Sequence, residues 1–138
     1  MAHSTFQVEV LTPEGEAFNG EVEMISTRTG IGSIGVLANH QPLLALLEPT
    51  ELRIYKSESD VERYAQGEGF LQVTHDSHVL VLVDELRPAD GLDTADLRAR
   101  LERAEEECRS TEEGSEARRV AERAKRRYEA FLKLAEGG

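Results

Sequence analysis

Gly30-Ile31-Gly32-Ser33-Ile34-Gly35 matches G-x-G-x-x-G letter for letter. Glycines at that spacing let a backbone turn tightly and close on a pyrophosphate, so the chemistry on offer is dinucleotide binding by a nucleotide-dependent enzyme. That chemistry needs a helix opening at the third glycine and an acidic residue about 20 positions on. Here Asn39 and Pro42 follow Gly35 within a turn or two, and a proline has no N–H to give a helix and biases Gln41 toward extended backbone. The glycines read instead as turns and bulges. Other reactive side chains form no constellation. His3, His40, His75 and His78 are not at metal-ligand spacing. Asp84 and Glu85 have no spaced His, Ser or Lys to make an acid–base set and read as strand-end charges. Cys108 falls on an apolar stripe and reads as a small buried hydrophobe. The sequence thus offers no catalytic residues and no metal site.

The elements around these residues change character once. Phe6–Leu11 alternates apolar and polar residues, the signature of a strand with one buried face. Thr12-Pro13-Glu14-Gly15 is turn chemistry. A strand region over Glu16–Thr27 follows, with Phe18, Val22 and Met24 or Ile25 as inward candidates and Gly20 as a bulge. The glycine-rich stretch from 29 reads as a turn-rich loop, then a short extended piece and a strand. Thr50–Tyr55, Val61–Gln66, Gly67–Thr74 and His78–Val83 are further strands, with turns at Ser57–Asp60 and His75–Ser77. Many short strands at this spacing predict a sandwich of two sheets. At Arg87-Pro88-Ala89-Asp90-Gly91 the apolar period switches from two to helical. Asp93 or Thr94 can cap a helix carrying Leu97, Leu101, Ala104 and Cys108 on one stripe. The pattern breaks at Ser110–Ser115. A second helix from about Glu116 carries Ala117, Val120, Ala124, Tyr128, Phe131 and Ala135. Two such helices and a short loop predict an antiparallel hairpin. The expected organisation is α+β in sequence order: a β-sandwich over 1–88 and a helical hairpin over 89–138.

Charge narrows the partners. Of the formal −11, residues 1–88 hold 14 acids and 5 bases, whereas 89–138 hold 13 acids and 11 bases. A front part this acidic repels phosphate backbones and anionic head groups, which argues against nucleic acid. No apolar run approaches the roughly 20 residues that span a bilayer, so no direct membrane insertion is expected. Met1-Ala2-His3-Ser4-Thr5 lacks the basic and apolar regions of a signal peptide. The single cysteine rules out an internal disulfide and suits a reducing compartment.

Gly32-Ser33-Ile34-Gly35-Val36-Leu37-Ala38-Asn39-His40-Gln41-Pro42-Leu43-Leu44 resembles the G-x-[IL]-G-[IV]-x-x-x-H-x-P-L-[LI] signature of the epsilon subunit of rotary F-type ATP synthases. Thr12–Gly15 is similar to that family's first hairpin turn. Glu68-Gly69-Phe70-Leu71-Gln72-Val73 and Val79–Asp84 are similar to its last two strands. The resemblance covers essentially the whole chain. It implies a non-catalytic central-stalk subunit whose sandwich joins the gamma subunit to the ring of c subunits and turns with them, coupling proton flow to ATP synthesis. It implies a ring-facing loop of Ser33, Gly35, His40 and Pro42, with Ser33 standing where the family often has an acid. It implies that the hairpin regulates ATP hydrolysis, extending so that Arg118, Arg119, Arg123 and Lys125 meet the catalytic alpha and beta subunits. In the folded-down state, the basic side chains of the second helix read as pairing with Glu102, Glu105, Glu106 and Glu107 across the hairpin. The expected location is peripheral, on the cytoplasmic face of a bacterial plasma membrane. From the residues alone, a free-standing adaptor binding partner helices is the alternative.

Some members of that family bind ATP through an [IL]-D-x-x-R-A motif opening the first helix, helped by arginines of the second. Leu92 and Asp93 match, but Asp96 and Leu97 stand where the arginine and alanine belong. Arg123, Arg126 and Arg127 remain as second-helix cations. An aspartate repels phosphate. The expectation is a degenerate nucleotide site with weak or absent ATP binding, and no cofactor.

Overall fold

The computed structural model describes residues 4–137; His3 and the opening Met1-Ala2 lie outside the described residues. Ten strands come first: β1 Phe6–Thr12, β2 Gly15–Val22, β3 Met24–Thr29, β4 Gly32–Leu37, β5 Leu43–Leu47, β6 Thr50–Tyr55, β7 Val61–Gln66, β8 Gly69–Val73, β9 His78–Val83 and β10 Leu86–Pro88. A 3-10 turn over Ala89–Gly91 leads to helices α1, Thr94–Ser110, and α2, Glu116–Ala135. The strands run in two layers. One is ordered β10-β7-β6-β3-β4 and the other β5-β8-β9-β1-β2, and a single pairing of Thr29 with Leu47 joins them.

Alternation explains the core. Val8 and Val10 of β1, Leu52 and Ile54 of β6, Leu71 of β8, and Val79 and Val81 of β9 are fully buried at every second position, interleaved between the layers. Strands with one apolar face bury it only by stacking in this way. The sheets are antiparallel except where β1 runs parallel to β9, Val8 opposite Val79 and Val10 opposite Val81.

Three expectations are corrected. The strand region over 16–27 is two strands, broken at the buried Glu23, whose N–H donates to the Tyr55 carbonyl as the chain crosses between layers. Val22 and Ile25 both point inward on either side of that step. The bulge lies opposite the Val10–Leu11 step, where Val10 faces Phe18 and Leu11 faces Glu16; Gly20 pairs regularly with Val8. The glycine-rich stretch is a strand, β4, in full register with β3 from Met24–Leu37 to Thr29–Gly32. No helix follows Gly35, so the dinucleotide fold is absent. Gly32 alone of these glycines has φ in the left-handed region, at 138°, where the β3–β4 turn needs it.

The hairpin has a small core of its own. Leu97 and Phe131 are fully buried, Tyr128 nearly so, and Ala65 of β7 closes the cluster from beneath. The α2 stripe runs Ala121, Tyr128 and Phe131, with Ala124 and Ala135 half-buried, while Ala117 and Val120 are exposed. The stripe is thus one position further on in the first turn than expected. Arg118, half-buried and donating to the Thr111 carbonyl, takes the inner side there. Asp93 is the cap of α1, accepting from the N–H groups of Ala95 and Asp96, and Ser115 caps α2. Arg87 and Pro88 belong to β10, paired with Ala65 and Tyr64, so the expected linker is half strand.

Candidate functional site

Three surfaces carry the side chains that could act. The first is the turn between β4 and β5. Ser33 and Gly35 share the exposed face of β4. Beyond it, Asn39 takes a left-handed φ of 65°, tolerated by asparagine, and its N–H donates to Ser77 Oγ at 3.1 Å in the β8–β9 turn. His40 N–H donates to the Leu37 carbonyl, and its ring Nδ1 lies 2.7 Å from the Gln41 carbonyl oxygen. The Nδ1 edge of the imidazole is therefore engaged by its own loop, and Gln41 and Pro42 stand exposed. A methyl added at Gly35 would come no nearer than 4.0 Å to anything, and its φ is ordinary. Nothing inside this chain requires glycine there.

The second surface was not anticipated. The outward positions of the second layer line up across its strands: Leu46 opposite Phe70, Phe70 opposite Leu82, Leu82 opposite Leu11. The next row is Leu44, Gln72, Leu80 and Glu9. Leu44 and Leu46 are 68% and 76% exposed, and Ile31 beside them is fully so. Contiguous apolar surface of this kind marks an interaction site. Its rim on β1 and β2 is acidic, with Glu9, Glu16 and Glu21. The signal in the sequence was Leu43–Leu47, an unbroken apolar run that cannot all point inward in a strand.

The third surface is the contact between α2 and the sandwich. The basic side chains do not pair with Glu102, Glu105, Glu106 and Glu107. Arg126 Nη2 lies 2.8 Å from Glu68 Oε1, and Arg123 Nε lies 3.6 Å from Glu68 Oε2. Arg127 Nη1 donates to Asp84 Oδ2 at 3.1 Å, with its Nε 3.2 Å from Glu85 Oε1. Tyr128 Oη donates to the same Glu85 oxygen at 3.1 Å, and the Arg127 guanidinium sits 4.8 Å over the Tyr128 ring. The antiparallel packing turns this side of α2 toward the sandwich and away from α1, which is why the helical glutamates are out of reach. Asp84 and Glu85 are thus more than strand-end charges. Burial pushes the Asp84 carboxyl above the ordinary aspartate range despite Arg127. Arg118 and Arg119 pair along their own helix with Glu122 and Glu116. Lys125 is half-buried and has no ion pair among the described residues.

The residues of the degenerate nucleotide motif are engaged elsewhere. Leu92 packs on the hairpin core, and Asp93 is used as a cap. Asp96 accepts from Arg100 at 2.9 Å and from Arg87 at 3.4 Å. The Arg100 guanidinium beside it holds its carboxyl below the usual range. Among the described residues no hydrogen bond joins Asp93 to Arg123, Arg126 or Arg127. No group of His, Cys, Asp or Glu there could hold a metal ion, and no helix is long and apolar enough to cross a membrane.

Comparison with known proteins agrees with this architecture. Residues 5–89 match the family model described as ATP synthase, Delta/Epsilon chain, beta-sandwich domain. The ATP synthase epsilon chain of Sulfurihydrogenibium sp. (strain YO3AOP1) is 32% identical over 130 residues, covering 94% of this chain and 96% of its own. That of Bacillus subtilis (strain 168) is 33% identical over 114 residues, covering 83% and 85%. Among solved structures, a chain of the Euglena gracilis mitochondrial ATP synthase, OSCP/F1/c-ring in rotational state 1, superposes with a TM-score of 0.75. It is 24% identical and covers 94% of this chain and 80% of that one, a likeness of fold.

Proposed function

The chain belongs to the ATP synthase epsilon-chain family, and on that footing we propose that it is the non-catalytic rotor subunit that couples proton translocation to ATP synthesis. The observation that carries this reading is the outward apolar row Leu11–Leu82–Phe70–Leu46 on the second layer, half-buried at Leu11 and Phe70 and exposed at Leu82 and Leu46, while the hairpin covers the outer face of the first. A soluble chain leaves such a row open for a partner. The occupant is the gamma subunit, met through an apolar strip flanked by basic residues that answer Glu9, Glu16 and Glu21. Ser33, Gly35, His40 and Pro42 face the c ring; the room left at Gly35 supports a close approach by another backbone. The sandwich to Pro88 is the rotor-contact unit and 89–138 the regulatory unit, meeting the catalytic alpha and beta subunits when α2 extends. The location is peripheral, on the cytoplasmic face of a bacterial plasma membrane.

The test is to mix this chain with the gamma subunit and measure binding. A stable complex is expected, and Leu46→Glu should weaken it about thirtyfold or more, the scale of a central interface residue. Leu46 is 76% exposed, so the substitution leaves the sandwich folded. Equal binding by the variant would move gamma off this face.

ATP is not a cofactor in this reading. Asp96 is already paired with Arg100 and Arg87, and Leu97 fills the core of the hairpin, so neither position is available to phosphate or purine. Calorimetric titration of the isolated protein is expected to give weak or no binding, and a micromolar dissociation constant would overturn this. Asp96→Arg is the useful companion variant, because Leu97→Ala would also hollow out a buried site.

A further inference from the structure

Arg127 lies across a gap that only glycine leaves. A Cβ at Gly67 would fall 1.9 Å from Asp84 Oδ1 and 3.0 Å from Arg127 Cδ. The carboxylate of Asp84 therefore occupies the space a side chain at 67 would fill, and Arg127 closes over it from α2. Gly67 is also tied to this spot by its backbone, its N–H donating to the Glu85 carbonyl at 2.8 Å, while Asp84 N–H donates to the Glu68 carbonyl at 2.9 Å. The β7–β8 and β9–β10 connections are thus bonded into one platform that presents Glu68, Asp84 and Glu85 together to one helix.

The platform is incompletely satisfied. Asp84 Oδ1 is buried with no hydrogen-bond partner, and Arg127 Nε is buried with none that meets hydrogen-bond geometry, although Glu85 Oε1 is 3.2 Å away. Half-satisfied buried charges contribute little net stability, because the lost hydration offsets the attraction. The pairs around them, Arg123 and Arg126 on Glu68, have arginines about half exposed and are screened by salt. A contact built this way is poised, and it stands beside the small apolar cluster of Ala65, Leu97, Tyr128 and Phe131, which salt does not weaken.

We infer that Arg127 over Gly67, with Asp84, Glu85 and Glu68, is an ionic latch that keeps the hairpin seated on the sandwich and opens as salt rises. This rests on the regulatory reading of the hairpin and names the contact through which its position is set. The latch is specific to the seated state: once α2 leaves, Asp84 regains water and the gap at Gly67 is empty of arginine.

Amide hydrogen exchange on the full chain tests it. Gly67→Ala should displace the Asp84 carboxylate, whose Oδ1 stands 1.9 Å from the added Cβ, and Arg127→Gln should remove the closing charge directly. Both are expected to exchange about tenfold faster than wild type through α1 and α2, with β8 and β9 unchanged. Raising salt from about 0.1 M to about 1 M, which shortens the screening length from about 10 Å to about 3 Å, should speed hairpin exchange in wild type, and less so in Arg127→Gln, which keeps only the Arg123 and Arg126 pairs with Glu68. Hairpin exchange that matches wild type in Arg127→Gln, or that ignores salt in wild type, overturns the latch. If Gly67→Ala also loosens β8 and β9, Arg127→Gln decides. Hydrolysis by the assembled complex separates the two readings. A loosened hairpin with unchanged hydrolysis removes the regulatory role and keeps the latch, whereas unchanged exchange removes the latch alone.

Discussion

Gly69→Ala is expected to destabilise the sandwich by about 3 kcal/mol or more, the upper range for forcing atoms into a packed interior. The reason is backbone, not side chain. A Cβ at Gly69 would lie 1.8 Å from the Leu82 carbonyl oxygen and 2.8 Å from Leu82 C and Val83 Cα. No rotamer change relieves that contact, so β8 and β9 must separate where Gly69 pairs with Val83. Leu71 and Val81, fully buried and paired two residues further along, would then lose their packing. A domain has only about 5–15 kcal/mol in total. Urea unfolding followed by circular dichroism should show a large drop in midpoint. Gly35→Ala is the control, expected within about 0.5 kcal/mol of wild type because its Cβ meets nothing closer than 4.0 Å. Similar midpoints for the two variants would mean that the β8–β9 contact yields easily.

Phe131→Ala should separate the two parts of the molecule. The ring is fully buried, stands edge-on to Tyr128 with centroids 6.1 Å apart, and anchors a cluster whose other buried members are Ala65, Leu97 and Tyr128. Truncating a buried phenylalanine costs about 3–5 kcal/mol, and so small a core has little in reserve. Helices of this length are marginal on their own, so α1 and α2 should melt as they leave the sandwich. The sandwich core, from Phe6 to Val83, has no member in the hairpin and should persist. Thermal unfolding of the variant is expected to lose its helical signal well below the β signal. A single transition would mean that the division at Pro88 is not a division of stability.

The strands β1, β6, β7, β8 and β9 could be read from residue types, and so could both helices and, of two candidates, the Asp93 cap of α1. Much of what escaped was decided by how elements pack against one another. β4 looks like a loop because Ser33, Gly35 and Leu37 are outward positions on an edge strand that tolerates glycine, and its two glycines hide a hairpin pairing with β3, the strand just before it. Val120 outranked Ala121 on hydrophobicity, yet the inward side of that turn is set by how α2 crosses α1. The proposed ring-facing role of the 33–42 loop rests on a motif, and the geometry of the loop adds the Asn39–Ser77 bond and a histidine whose Nδ1 is engaged by its own loop. The partners of Arg123, Arg126 and Arg127 were misjudged for a related reason. Charge pattern identifies a basic helix face, but only the docking orientation decides which acids it meets.

The parallel pairing of β1 with β9 also bears on how this chain comes into being on a ribosome. Gln7–Leu11 find their neighbours in His78–Leu82, so the first strand to leave the exit tunnel waits for the ninth. Until then it has only β2, and a two-stranded hairpin is marginal in water. Its Val8 and Val10 stay uncovered and one of its edges unpaired for most of synthesis, the condition under which nascent strands associate with one another. Closure of the second layer is therefore a late event, and such long-range pairing is slow. A chain released before residue 82 would carry β1 with no β9 to receive it. The helices emerge after all ten strands and meet Ala65 on a sandwich that can already have closed.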